Sequence, residues 1–329
     1  MKRSVPILIL LLLSAVRGTC DGVSVIRVSD GKVVVKDSPG LFDTYRDMVL
    51  TVDDIGGKVA IIQWGRYKST IKVLGLADGK CVKHSINIGR ENGIDGAEYY
   101  DFASGDYIFH DSKGLHFFGK DSKPRELPNP LPRDYRASKI VACEDGFLIR
   151  AGNCAGDYRG DVVYRYQRSK GSVKSIYETP EGIRCISGGR YAIISEDIRG
   201  AVYSRQIVTI DLNGHVLSKV TAPMLSADSV SIRTNLVYDV GPWETNLCQL
   251  QEVRADDGKG LRKIVFPDVP GQITGIDVLD QYAVVDGEQG AYVLNVETKQ
   301  TLRRLTSGLD WSCLLLMKFK GEVYCVACE

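Results

Sequence analysis

Three carboxylates, Asp95, Glu98 and Asp101, fall within seven residues in the stretch ENGIDGAEYYDFASGD, with Tyr99 and Tyr100 between the last two. Oxygen ligands grouped this closely could hold a cation, and two carboxyl groups could divide the work of a catalytic acid and base. The spacing lacks the alternating ligand positions and central glycine of a calcium loop, and the competing reading is a solvated loop. A second chemistry comes from the tryptophans. Trp64 stands near Arg66 in QWGRYKS, Trp243 beside Glu244 in GPWETN, and Trp311 follows Asp310 in SGLDW. The stretch NCAGDYRGD adds Asp157, Tyr158 and Arg159. Large rings next to guanidinium and carboxylate groups make an amphipathic surface that takes sugars, peptides or partner proteins. The alternative use of each ring is packing between neighbouring elements.

Other reactive types form no known centre. His110 and His116 flank one turn with no third ligand near them, and His84 and His215 stand singly. No metal site and no cofactor is expected. Cys325 and Cys328 make a lone CxxC, but it lies in VYCVACE, which reads as a strand, whereas redox motifs open a helix. Arg159-Gly160-Asp161 spells the tripeptide that integrins read, a match short enough to arise by chance. Gly-x-Ser-x-Gly, phosphate-binding glycine loops and His-Glu-x-x-His are all missing.

The first residues bear on where the protein works. Lys2 and Arg3 precede an apolar run from Val5 to Val16, and Gly18 supplies a small residue for cleavage, so residues 1–18 read as a secretory signal peptide and 19–329 as the mature domain. The run is shorter than the roughly 20 apolar residues that span a bilayer, and none of that length follows. Removing Lys2, Arg3 and Arg17 takes the basic count from 42 to 39 against 41 acids, a balance of about −2. With no concentrated basic block, nucleic acid is excluded as an expected partner. Nine cysteines, all after residue 18, suit an oxidising compartment: extracellular space, endoplasmic reticulum lumen or periplasm.

The elements that must position these residues are short strands. The segment QYAVVDGEQGAYVLNVETKQTLRRL, residues 281–305, divides into three strands and two turns. Its first strand has seven counterparts in all, opening near Val59, Tyr107, Phe147, Tyr191, Leu236, Tyr282 and Val323, with separations of 48, 40, 44, 45, 46 and 41 residues. Downstream of several copies an alternating strand meets Asp78-Gly79, Lys170-Gly171, Asn213-Gly214 or Asp257-Gly258. Such pairs suit two-residue hairpins. A period of 40 to 50 residues with four strands each marks a propeller. The pattern resembles the seven-bladed β-propellers, the superfamily of WD-repeat and quinoprotein-like domains, over the whole mature chain. No Gly-His…Trp-Asp pair, Ser-x-Asp-x-Gly-x-Thr-Trp box or tryptophan docking motif is present, so the resemblance carries over no site residues.

The expectation is therefore one all-β domain of seven four-stranded blades. Val23 to Ser38 carries a hairpin without its preceding strand pair, and the C-terminus LLLMKFKGEVYCVA supplies such a pair and stops, so the last blade should be built from both ends. Cys20 would then lie opposite Cys328 and bond to it. The local competitor is Cys313 opposite Cys328, if Lys320-Gly321 is a two-residue turn. Loops after the second strands and connections between blades emerge on one face, which collects all three tryptophans together with His110, Asp111, Glu196, Asp197, Arg199, Asp286 and Glu288. The function expected is a secreted or lumenal, monomeric binding or scaffold module holding a protein or glycan on that face. The alternative is a carbohydrate- or lactone-active hydrolase working at the channel.

Overall fold

Strands rich in Val, Ile and aromatic residues, separated by glycine-bearing turns, can bury themselves only by stacking sheets. The computed structural model describes residues 23–37, 48–64, 69–76, 81–86, 97–111, 114–119, 124–127, 131, 135–153, 160–198, 200–223, 230–233, 235–240, 247–270, 273–287, 290–305 and 314–328. The first strands are β1 (Val23–Arg27) and β2 (Val33–Asp37). Blade 1 follows with β3 (Met48–Asp53), β4 (Lys58–Trp64), β5 (Ser69–Gly75) and β6 (Cys81–Ile86). Blade 2 holds β7 (Glu98–Asp101), β8 (Asp106–Asp111), β9 (Gly114–Phe118) and β10 (Pro124–Leu127). Blade 3 holds β11 (Tyr135–Cys143), β12 (Gly146–Asn153), β13 (Asp161–Gln167) and β14 (Ser172–Thr179). Blade 4 holds β15 (Ile183–Ser187), β16 (Tyr191–Ile198), β17 (Ala201–Asp211) and β18 (Val216–Pro223). Blade 5 holds β19 (Val230–Arg233), β20 (Leu236–Val240), β21 (Leu247–Arg254) and β22 (Gly260–Pro270). Blade 6 holds β23 (Ile273–Leu279), β24 (Tyr282–Gly287), β25 (Gly290–Asn295) and β26 (Gln300–Arg304). The last two strands are β27 (Leu314–Phe319) and β28 (Glu322–Cys328).

Each blade is an antiparallel sheet in chain order, and blade 7 runs β27-β28-β1-β2. The inner strands β3, β7, β11, β15, β19, β23 and β27 touch in that sequence, and β27 returns to β3. The fold is a seven-bladed β-propeller whose closing blade is shared between the two ends of the chain. All seven repeat positions, from Val59 to Val323, lie in second strands. Those strands are walled by neighbouring blades on both faces, which is why β24 is buried over five consecutive residues while the outer strand β26 exposes most of its length. The interfaces are continuous core. Val284 and Val293 of blade 6 meet Leu316, Met317 and Val326 of blade 7, which meet Val59 and Leu74 of blade 1. Each such side chain, fully buried, contributes about 1.5–3 kcal/mol. Between blades 2 and 3 the contact is aromatic, with Tyr166 at 5.1 Å from Phe117 and 4.6 Å from Phe147.

Turn chemistry differs from the expectation between third and fourth strands. The loop from Arg27 to Lys32 closes through Arg27 N–H to Lys32 O at 2.9 Å and Gly31 N–H to Arg27 O at 2.8 Å, with four residues between. Arg254 to Lys259 repeats it. These are not two-residue turns. Only the glycines take positive φ, 70° at Gly31 and 68° at Gly258. The preceding aspartates instead accept the N–H two residues on, Lys32 to Asp30 at 3.0 Å and Lys259 to Asp257 at 2.9 Å. A true two-residue turn joins β27 and β28, where Lys320 and Gly321 have φ of 50° and 83° and Phe319 faces Glu322.

The closing register also departs from expectation. Val23 pairs with Cys328 and Arg27 with Tyr324, so Val23 occupies the place expected for Cys20. Burial sets this register: Val25 lies opposite Val326, and both are fully buried. Cys20 lies outside the described residues, as do Cys313 and the signal segment.

Two predictions concern these turns. A Cβ at Gly146, φ 147°, would lie 1.9 Å from the Tyr166 carbonyl oxygen, whereas at Gly171, φ 59°, it would meet open space. Gly171→Ala should cost only the roughly 1–2 kcal/mol of a left-handed conformation, and Gly146→Ala distinctly more. Urea denaturation compares them, and equal losses would show that close approach is irrelevant. In the closing hairpin, Arg27 grips Asp30 at 2.6 and 3.0 Å. That ion pair, with help from the Lys32 N–H, lowers the Asp30 carboxyl to about 2. A depressed folded pKa means the contribution is whole above the unfolded value of 3.8 and is lost as pH falls through about 2. The melting temperature gap between wild type and Asp30→Asn should therefore narrow between pH 5 and pH 2.

Candidate functional site

The two ends of the disc are built differently. On the lower end, connections between first and second strands and between third and fourth never exceed five residues, 28–32 and 255–259 being among the longest. On the upper end they reach eleven at 87–97, nine at 305–313 and seven at 154–160. Of the three tryptophans, Trp64 alone falls among the described residues. Trp64 is the last residue of β4 and pairs with Ser69 at the β4–β5 turn. Arg66, Asp95, Tyr158, Arg159, Trp243, Glu244 and Trp311 lie outside the described residues, as do Asp157, Arg199 and Glu288.

The carboxylates Glu98 and Asp101 are described, and the structure keeps them apart. They begin and end β7, three residues and about 10 Å apart, and that spacing puts them on opposite faces of the sheet. Both are buried. Glu98 accepts the Tyr107 hydroxyl at 2.5 Å, within blade 2. Asp101 turns to blade 3 and takes Arg168 Nη2 at 2.7 and 2.9 Å, with the Ser104 hydroxyl at 2.9 Å. Burial, followed by the Asp101 charge, raises the Tyr99 phenol beside them.

A similar commitment recurs around the ring. Asp161 receives Arg150 Nη2 at 3.0 Å and the Ile183 amide of blade 4 at 2.7 Å. It is 2% exposed, so the Arg-Gly-Asp tripeptide presents no free aspartate. Glu196, 1% exposed, accepts the Tyr177 hydroxyl of blade 3 at 2.9 Å and lies 3.3 Å from Lys219. Its neighbour Asp197 takes Arg184 at 2.9 Å and also Arg205. Asp277 joins three inner strands, accepting the Ser231 hydroxyl of blade 5 at 3.1 Å and the Leu316 amide of blade 7 at 2.9 Å. The partners Arg168, Tyr177 and Ser231 carry no sequence signal, because each becomes a neighbour only when blades stack, whereas Arg150 meets Asp161 across the β12–β13 ladder of one blade.

The histidines do not converge. His116 faces Phe109 and stacks on it at 4.8 Å, whereas His110, one residue along β8, points to the other face and accepts the Ala137 amide at 3.5 Å. Among the described residues no group of His, Cys, Asp and Glu could hold a metal ion. No described helix is long and apolar enough to cross a membrane. Cys325 sits in β28, as the strand reading of VYCVACE requires, and is fully buried.

Similarity elsewhere is confined to this architecture. The chain resembles a streptogramin B lyase (TM-score 0.53, 12% identity, 86% of this chain and 97% of that one). It also resembles the Pan2 WD40 domain of Neurospora crassa (0.51, 11%, 85% and 88%). A third likeness is an oligogalacturonate lyase of Vibrio parahaemolyticus (0.55, 9%, 85% and 91%). At such identities the likeness shows the fold alone. No family model matches the chain, and no curated protein matches it.

Burial pushes the Cys325 thiol up to about 12, with the Asp277 charge adding to it, and burial pushes Cys248 to about 12. A raised folded pKa keeps both as neutral thiols, the reverse of an activated nucleophile. Iodoacetamide at pH 8 should leave Cys248 and Cys325 unmodified in folded protein and label both in urea, as read by peptide mapping. Modification of folded Cys325 would show a reactive thiol.

Proposed function

We propose that the protein is a secreted or lumenal binding module that holds a protein or glycan partner against the upper face of the propeller. The observation that carries this reading is the commitment of the buried carboxylates. Asp101, Asp161 and Glu196 each lie in an ion pair with Arg or Lys, and Asp277 accepts from two neighbouring blades. A general acid needs a carboxyl whose proton is held near working pH and reaches substrate. Ion pairing works against that and favours a rigid frame. Function is then left to the long upper connections, where Trp64, Trp243 and Trp311 stand with Arg66, Tyr158, Arg159 and Glu244. Aromatic and Arg anchors are the residues that dominate binding surfaces.

The test is a glycan array and co-purification from the secretory fraction, each repeated with Trp64→Ala, Trp243→Ala and Trp311→Ala. At least one variant should weaken the captured partner about fivefold or more while the melting temperature holds. Turnover of a polysaccharide or lactone by the purified protein would overturn the reading in favour of a hydrolase. The proposal includes removal of residues 1–18 on export, and N-terminal sequencing of secreted protein that still begins at Met1 would exclude that step.

A further inference from the structure

A cleft of about 370 Å³ opens between blades 6 and 7, beside the turn that follows β1. Its walls are Ile26 and Val28 from the closing hairpin, Val293 from β25 and Cys325 from β28, all buried. Tyr282 and Leu302 extend the apolar lining toward the rim. The interface between blades 2 and 3, by contrast, is packed with the Phe117, Phe147 and Tyr166 side chains. Ser29, Asp30, Asn295 and Arg303 give the lining a polar share as well, and a hollow of this size lies within the range of small-molecule sites.

The mouth is electrostatically uneven. Arg27 is already neutralised by Asp30 at 2.6 Å. Arg303, exposed on β26, donates one Nη1 bond to the Gly31 carbonyl across the cleft, and no carboxylate pairs with it among the described residues. Among the described residues that single bond, to a neutral oxygen, leaves the guanidinium without a counter-charge and with most of its donors available.

We propose that this cleft binds a small organic anion, with its apolar body between Val28, Val293 and Leu302 and its acidic head on Arg303. The site is independent of the upper face. Its probe is 8-anilinonaphthalene-1-sulfonate, read by fluorescence with full-length folded protein, against the uncharged N-phenyl-1-naphthylamine, which has the same aromatic body without the sulfonate. Both should bind at one saturable site. Arg303→Gln should weaken the sulfonate about tenfold and leave the neutral probe within about twofold, because only the charged hydrogen bond is lost. Val293→Trp, which fills the hollow, should abolish both. Leu302→Trp, at a position 42% exposed and so safe for folding, should weaken both even if Val293→Trp fails to fold. Val216→Trp, on an outer strand of blade 4, should change neither. Sulfonate binding that survives Val293→Trp and Leu302→Trp, or that responds equally to Val216→Trp, overturns the proposal, as does loss of both probes with Arg303→Gln.

Discussion

The ladder between β1 and β28 is the constraint on which the remaining architecture rests. Five residue pairs, from Val23 with Cys328 to Arg27 with Tyr324, join the two ends of the chain. Without them β1 and β2 would be an isolated hairpin, and two-stranded sheets are marginal in water. Blade 7 would also present β28 as an unpaired edge in the middle of the core. Closing so long a loop is less unfavourable than it seems, since the entropy cost grows only logarithmically, about 0.6 kcal/mol per doubling. Against it stand Val23, Val25, Val326 and Cys325, all withdrawn from water. The closing blade is held sideways as well, through Arg303 of blade 6 to the Gly31 carbonyl and through the Lys318 amide to Asp54 of blade 1 at 3.0 Å.

A ring of flat apolar interfaces specifies contact but little about the rotation of one blade against the next. Buried carboxylates supply that missing information. Asp277 on β23 accepts from both flanking inner strands, and Asp161 of blade 3 takes an amide of blade 4. Asp101 of blade 2 takes an arginine of blade 3. Each acceptor sits at one depth, so sliding a blade would leave an amide or a charge unsatisfied at a cost of about 1–3 kcal/mol or more. Dispersion and area alone would be far more tolerant of such a slip.

This division explains what was legible in the chain. The fold rests on local signals: the turn-then-apolar strand at Val59, Tyr107, Phe147, Tyr191, Leu236, Tyr282 and Val323, and the half-blades at each end. Both are periodic in sequence, so the blade count and the shared last blade follow from pattern. Register is less legible. The pairing of Val23 with Cys328 depends on which valines reach the core, and counting back from a cysteine misses it. The turn at Asp257-Gly258 holds more than two residues because the aspartate side chain, which the dipeptide rule ignores, caps the loop, as Asp30 does in the closing hairpin. Glu98 and Asp101 are close in sequence, but strand alternation sets them on opposite faces of β7.

The same reasoning says why the functional end is the harder one to read. Lower turns are short and held by their own side chains: Asp53 caps Ile55 and Gly56, Asp211 caps Asn213 and His215, and Asn295 caps Glu297 and Thr298. Their sequences are consumed by local geometry, which is what makes them recognisable. Upper connections reach eleven residues between strands and follow no fixed repeat in length. Segments of unequal length carry no periodicity, so the pattern that reveals the blades says nothing of what such segments bind. Repetition announces a scaffold, and whatever breaks the repeat has to be read by other means than its spacing.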